Sequence, residues 1–202
     1  MREGTGNMTD YIQHKPTKAE KEARRAQKAA EQERERAKKI AALPDKVHDI
    51  PIIDVSYTAV GKKRVKELCR SFGPQRKAFL QNLAKTQAPV LKALGLSDKA
   101  IADMGKGNAP NGYNVHHKLP LAGGGKNEFS NFILIKNDPY HTDIHKVSDL
   151  QICKMQEGET KTVKMPVPDG SIFIPPSEKQ RVQAALKQPV PLSVLQKRQQ
   201  TR

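Results

Sequence analysis

The chain has no tryptophan, and aromatic residues make up only 4% of its 202 residues. Its apolar fraction of 36% is lean for a fully compact protein of this length. A modest core with solvated flanks is therefore expected. There are two cysteines, Cys69 and Cys153, far apart and in no CxxC or other metal-ligand spacing. This argues against a thiolate metal site and points to free thiols in a reducing compartment. No run approaches the ~20 apolar residues that a spanning helix needs, so no membrane anchor is expected. The opening MREGTGNMTDYIQHK has no apolar h-region and is not a Sec signal peptide. Negative charge is also short: 21 acidic residues face 36 basic ones, for a net charge of +15. With a pI near 9.9, the expected partner is a polyanion, nucleic acid first, because lysines and arginines near phosphates release counterions.

What is present divides along the chain. Residues 1–45 read as a basic, helical or disordered N-terminal arm, with the first 15 polar and mobile. Thr17 and Glu20 have capping-box spacing behind Pro16, and helix formers follow. From Lys15 to Lys39 ten basic residues meet five acidic ones, with no large apolar residue before Ile40. Such a helix has no stripe to bury; it could track a DNA backbone or serve as an export handle. Residues 46–61, with two prolines nearby, read as a linker or extended segment. Residues 62–150 hold a helical subdomain followed by the histidine-rich window. Val65, Leu68, Cys69 and Phe72 recur at helical spacing until Gly73-Pro74, where the run is expected to stop. Phe79, Leu80 and Leu83 mark a second helix, and Val90, Leu91 and Leu94 a third. Ser97 is placed to cap a fourth. Residues 151–202 read as short strands about a turn at Asp169-Gly170, then a short helix and a basic tail.

Four of the six histidines lie between Asn114 and Lys146. Tyr113 to Lys118 reads as a strand ending in His116 and His117, whose side chains must point to opposite faces. One can ligate a metal while the other faces a substrate. The glycine-rich LAGGGKNEFSN follows, in which three glycines let the backbone approach something closely. Phe132 to Lys136 is a second short strand. Asp138-Pro139 looks like an N-cap followed by proline at the first helical position. The helix expected there carries His141 and His145 one turn apart on one face, a spacing that suits a shared ion.

In this order the elements resemble the HNH, or ββα-metal (His-Me finger), endonucleases, most closely the colicin- and pyocin-type DNase toxins and type VI secretion effector nucleases. The elements shared are His116-His117, Pro120, Gly123-Gly124-Gly125, Asn131 and the His141-to-His145 HxxxH, and the resemblance covers roughly Ser97 to Lys146. It implies an α+β fold: a small helical subdomain plus a ββα-metal motif at 113–148. It implies one divalent ion held by His116, His141 and His145. The catalytic pair would be His117, the general base toward the attacking water, and Asn131, which would hold the His117 loop by hydrogen bonding. Three imidazoles suit Zn²⁺ or Ni²⁺; the ion used in catalysis could be Mg²⁺ or Mn²⁺. The chain departs from the colicin-like pattern at Asn114, where those enzymes carry glutamate, and near Pro110, where they carry arginine. Phosphate contacts are therefore expected from Lys118, Lys126, Lys136 and Lys146, with Lys106 a further candidate.

The function these features suggest is a largely sequence-nonspecific, metal-dependent DNA endonuclease, acting as an antibacterial toxin effector. Its partners would be DNA, a cognate immunity protein of acidic character and a component of a secretion system. It would be cytoplasmic in the producer and delivered to target cytoplasm without a Sec signal. A phage or mobile-element HNH endonuclease would use the same site. A non-catalytic DNA-binding protein with a structural metal site is the reading from another class.

Overall fold

The computed structural model describes residues 15–187. The mobile start assigned to the first residues and the basic tail lie outside these, apart from Lys15. Helices and small antiparallel sheets combine in one chain, in keeping with the α+β expectation. The chain divides into two units, at Ala42 and Leu43. The first contains α1 (Lys18–Ala41), which buries none of its residues. Its start is the anticipated capping box: Thr17 Oγ1 accepts from the Glu20 N–H at 3.2 Å, and the Glu20 carboxylate accepts from the Thr17 N–H at 2.7 Å.

The second unit opens with a hairpin, in keeping with the extended alternative for residues 46–61 and not with a linker. Strands β1 (Lys46–Val47) and β2 (Ile50–Thr58) are joined by His48 and Asp49, both with positive φ. That is the two-residue primed turn whose twist matches antiparallel strands. β2 then pairs along seven residues with β5 (Thr160–Pro166), from Ile52 opposite Pro166 to Thr58 opposite Thr160. The segment after residue 150 thus belongs to the same sheet as residues 46–58. Tyr57, Val163 and Met165 form the buried side of this sheet.

The helical region corrects the reading of Gly73-Pro74. A single helix, α2, runs from Lys62 to Thr86 with Pro74 inside it. The apolar face stays in register across the proline, from Phe72 to Phe79, Leu80 and Leu83. Its burial outweighs the one backbone hydrogen bond that proline removes. Helices α3 (Ala88–Ala93) and α4 (Asp98–Gly105) follow, and Ser97 Oγ caps α4 through the Ala100 N–H, as expected. Their apolar faces pack with α2 on Val115, Phe132 and Leu134.

Strands β3 (Tyr113–His117) and β4 (Phe132–Lys136) pair antiparallel, with His116 opposite Ile133 and His117 opposite Phe132. β4 is buried on both faces: Phe132 and Leu134 meet the α2–α4 core, while Ile133 and Ile135 meet Ile50, Ile144 and Phe173. Asp138 does not cap the next helix. The Asp138-Pro139 bond is cis and lies in a wide turn, Asn137–His141, and helix α5 begins at Thr142 and runs to Ile152. The Asp138 carboxylate instead accepts a hydrogen bond from Thr142 Oγ1 at 2.7 Å. The Asp169-Gly170 turn does not close a hairpin either. The chain beyond it bridges β4 in parallel at Ile172 opposite Leu134 and ends in α6 (Lys179–Lys187).

The GGG run lies against the protein itself. The Cβ position of Gly123 is taken by the Tyr57 ring and that of Gly125 by the Leu119 carbonyl, whereas Gly124 has φ +90 and open space. Gly124→Ala should therefore cost only about 1–2 kcal/mol, for the left-handed backbone. Gly125→Ala must displace a backbone carbonyl that Asn131 holds, and its expected cost is more than about 3 kcal/mol. Urea unfolding of the two variants checks the order.

Candidate active site

β3, β4 and α5 bring the histidines together. The ligand atoms of His116, His141 and His145 lie within 4.8 Å of one another. The ring of His116 meets those of His141 and His145 edge-on, with centroids 5.0 and 5.2 Å away. His141 and His145 turn their Nε2 atoms toward each other at 3.2 Å, as one turn of helix allows. His116 is only 4% exposed, and its Nε2 is buried without a hydrogen-bond partner.

A buried, unpartnered imidazole nitrogen costs free energy unless something else occupies its lone pair. Burial, reinforced by the neighbouring imidazoles, pushes the His116 pKa down to about 3. Burial and His145 also push that of His141 down, against the opposing pull of Asp138. Both rings are thus held in the neutral form that donates to a cation. His145 Nδ1 faces Asp149 Oδ1 at 4.0 Å. That is too long for a hydrogen bond. Three convergent imidazoles with an orphaned nitrogen among them fit one divalent ion.

His117 leaves the strand on the other side. Its ring is held between Phe72 of α2, 4.4 Å away between centroids, and Phe132, at 5.0 Å. Its Nε2 lies 2.9 Å from Asn127 Oδ1. The Asn127 amide cannot be reversed without loss, because its Nδ2 donates to Leu68 O at 2.8 Å and Ser71 Oγ at 2.9 Å. Oδ1 therefore accepts, Nε2 carries the proton, and the free lone pair sits on Nδ1. Burial lowers the His117 pKa, and the Asn127 bond opposes that shift.

Asn131 acts on the loop between them. Its Oδ1 accepts from the Leu119 N–H at 2.8 Å, and its Nδ2 donates to the carbonyls of Leu119, at 2.9 Å, and Lys126, at 3.0 Å. The main-chain carbonyl of Asn131 accepts from Lys118 N–H. Asn131 thereby fixes both the segment after His117 and the glycine loop. Pro120, Leu121, Cys69 and Phe72 complete the cleft that contains the four histidines.

The lysines divide. Lys136 is committed to Glu178 at 2.7 Å and lies over the Tyr113 ring; Lys146 pairs with Asp143 at 2.7 Å. Lys106 pairs with Asp103, and Lys126 stands 3.8 Å from Glu128. Among the described residues Lys118 has no ion-pair partner. Asn114, where the resembling enzymes have glutamate, spends its Oδ1 on the neighbouring Val115 N–H and lends nothing to the histidine cluster. Sequence reasoning passes over Asn127, Asp149 and the α2 residues Cys69 and Phe72 as parts of the site. The spacing of Asp149 behind His145 repeats the i, i+4 interval and is a signal that could have found it. The partners of Asn127, on α2, leave no such signal.

No protein-family model matches the chain, and no solved structure matches it. Among curated proteins it is similar to Uncharacterized protein YhhZ of Escherichia coli (strain K12). The two are 38% identical over 128 residues, which cover 62% of this chain and 32% of that protein. The chain thus spans about a third of that relative's length.

Proposed function

We propose that this protein is a metal-dependent endonuclease of the HNH type that hydrolyses phosphodiester bonds in DNA. One observation carries the reading: adjacent residues of β3 divide the labour, the buried His116 joining the partly exposed His141 and His145 and His117 presenting an oriented, neutral ring on the opposite side. His116, His141 and His145 would hold a divalent ion, which would supply Lewis-acid stabilisation of the charge that develops on the leaving 3′ oxygen. His117 accepts on Nδ1 the proton released as a water oxygen bonds to phosphorus and the P–O3′ bond breaks. Asn127 keeps that lone pair on Nδ1, Phe72 and Phe132 hold the ring plane, and Asn131 fixes the loop that follows. Lys118 is the lysine of this window free to meet phosphate. A closed structural metal site needs four protein ligands; three converge here, which favours the catalytic reading over a purely structural one. The biological setting that fits is a toxin effector restrained by an acidic immunity protein.

Plasmid nicking tests the reading. Purified protein should convert supercoiled DNA to open-circular and linear forms with Mg²⁺, Mn²⁺, Ni²⁺ or Zn²⁺ added, and EDTA should stop it. Absence of cleavage with every ion would sink the proposal.

A further inference from the structure

Helix α2 supplies a wall of the cleft through Cys69 and Phe72, yet its chemistry is not that of a supporting helix. Of its 25 residues eight are basic, and Glu67 is its one acid. Glu67 is engaged with Arg64 at 3.2 Å. Lys62, Lys66 and Arg70 are exposed, and no described carboxylate pairs with them. At 100° per residue, Lys62 and Lys66 fall on the edge of the helix that carries Cys69, and Arg70 lies just outside it. Lys62 to Cys69 spans about 10 Å. Lys62 and Lys63 also border a second recess, with Cys153 and Lys154 just past the end of α5. One side of α2 thus lines both recesses.

The arrangement works against the stability of the isolated protein. Lys62 and Lys66 are like charges one turn apart. Lys62, Lys63 and Arg64 crowd the positive end of the helix dipole. Among the described residues Glu67, paired with Arg64, and Glu157, whose carboxylate lies against Gly61, offset them in part. A string of phosphates would relieve both conflicts. Lys136 and Lys146 of the histidine window are committed to carboxylates, and Lys126 stands near Glu128, so Lys62, Lys66 and Arg70 add uncommitted cations beside the cleft.

We infer that the Lys62–Lys66–Arg70 edge of α2 is the docking surface for the sugar-phosphate backbone of nucleic acid, leading the strand to His117. The inference rests on the nuclease reading, and a binding measurement separates the two. Full-length protein in EDTA is titrated against a fluorescein-labelled 20-bp duplex by anisotropy at several salt concentrations, so that turnover plays no part. The triple variant K62Q/K66Q/R70Q should bind about 10-fold more weakly. The slope of log K against log salt should shrink by about 2–3, roughly one for each phosphate left without its cation. The control K85Q/K161Q/K187Q removes the same charge away from this edge, Lys85 lying in the last turn of α2, and should retain most of the affinity. An unchanged slope in the first variant would overturn the inference and leave the edge to an acidic protein. An equal loss in the control would overturn it too, since net charge alone would then explain binding. If wild-type protein binds through this edge but never nicks plasmid, the docking surface stands and the nuclease reading falls.

Discussion

Replacement of His116 by alanine should leave a folded protein that no longer takes up its divalent ion. Wild-type protein dialysed against Zn²⁺ or Ni²⁺ should retain one ion per chain. The variant should retain none, with affinity lowered by at least about 100-fold. Folding is expected to survive for a physical reason. His116 Nε2 is buried with no hydrogen-bond partner among the described residues, so without an ion the ring would carry a desolvation cost of about 1–3 kcal/mol. Its removal offsets part of the cavity that alanine leaves. The decisive readout is the metal-dependence of unfolding. An ion that binds only the folded chain stabilises it by about 2.7 kcal/mol at a free concentration of 100 Kd. Thermal unfolding of the wild type should rise with added metal, and that of the variant should not move. Equal stabilisation of both proteins would remove His116 from the ligand set and with it the centre inferred from His141 and His145.

The histidine cluster is legible in the sequence because its placement is local. The adjacent His116 and His117 must diverge on a strand, and His141 and His145 must share a helical face; neither statement needs a tertiary contact. The caps at Thr17 and Ser97 are legible for the same reason. What the sequence conceals depends on distant partners. Residues 46–61 read as a linker or an extended segment, with nothing to decide between them, because the strand partner of Ile50–Thr58, Thr160–Pro166, lies about a hundred residues on. Gly73-Pro74 reads as a stop because the local rule ignores the apolar face that carries α2 through it. Asn127 looks like any polar loop residue until the Leu68 carbonyl and the Ser71 hydroxyl fix its amide. The GGG run is legible in kind, as close backbone approach, but what it approaches is Tyr57 and Leu119, not a ligand.

Replacement of His117 by alanine should produce the opposite dissociation: metal retained, turnover lost. The Asn127 contact leaves the lone pair of His117 on Nδ1, and the ring, which lines the cleft, packs on Phe72 and Phe132. The ligand cluster should therefore survive, with one ion per chain and the same metal-dependent rise in thermal stability as the wild type. General-base catalysis contributes roughly 10²- to 10⁴-fold. Single-turnover cleavage should fall by that factor while duplex affinity in EDTA stays within about 2-fold. Stability should change little, because the ring removed is half-buried and Asn127 keeps its two bonds to α2. The pairing of results matters more than either alone. A variant that lost metal and cleavage together would make His117 a ligand or a scaffold, not a base. One that kept both would leave no base on this face of β3, and the histidine cluster would then serve as a structural metal site in a nucleic-acid-binding protein.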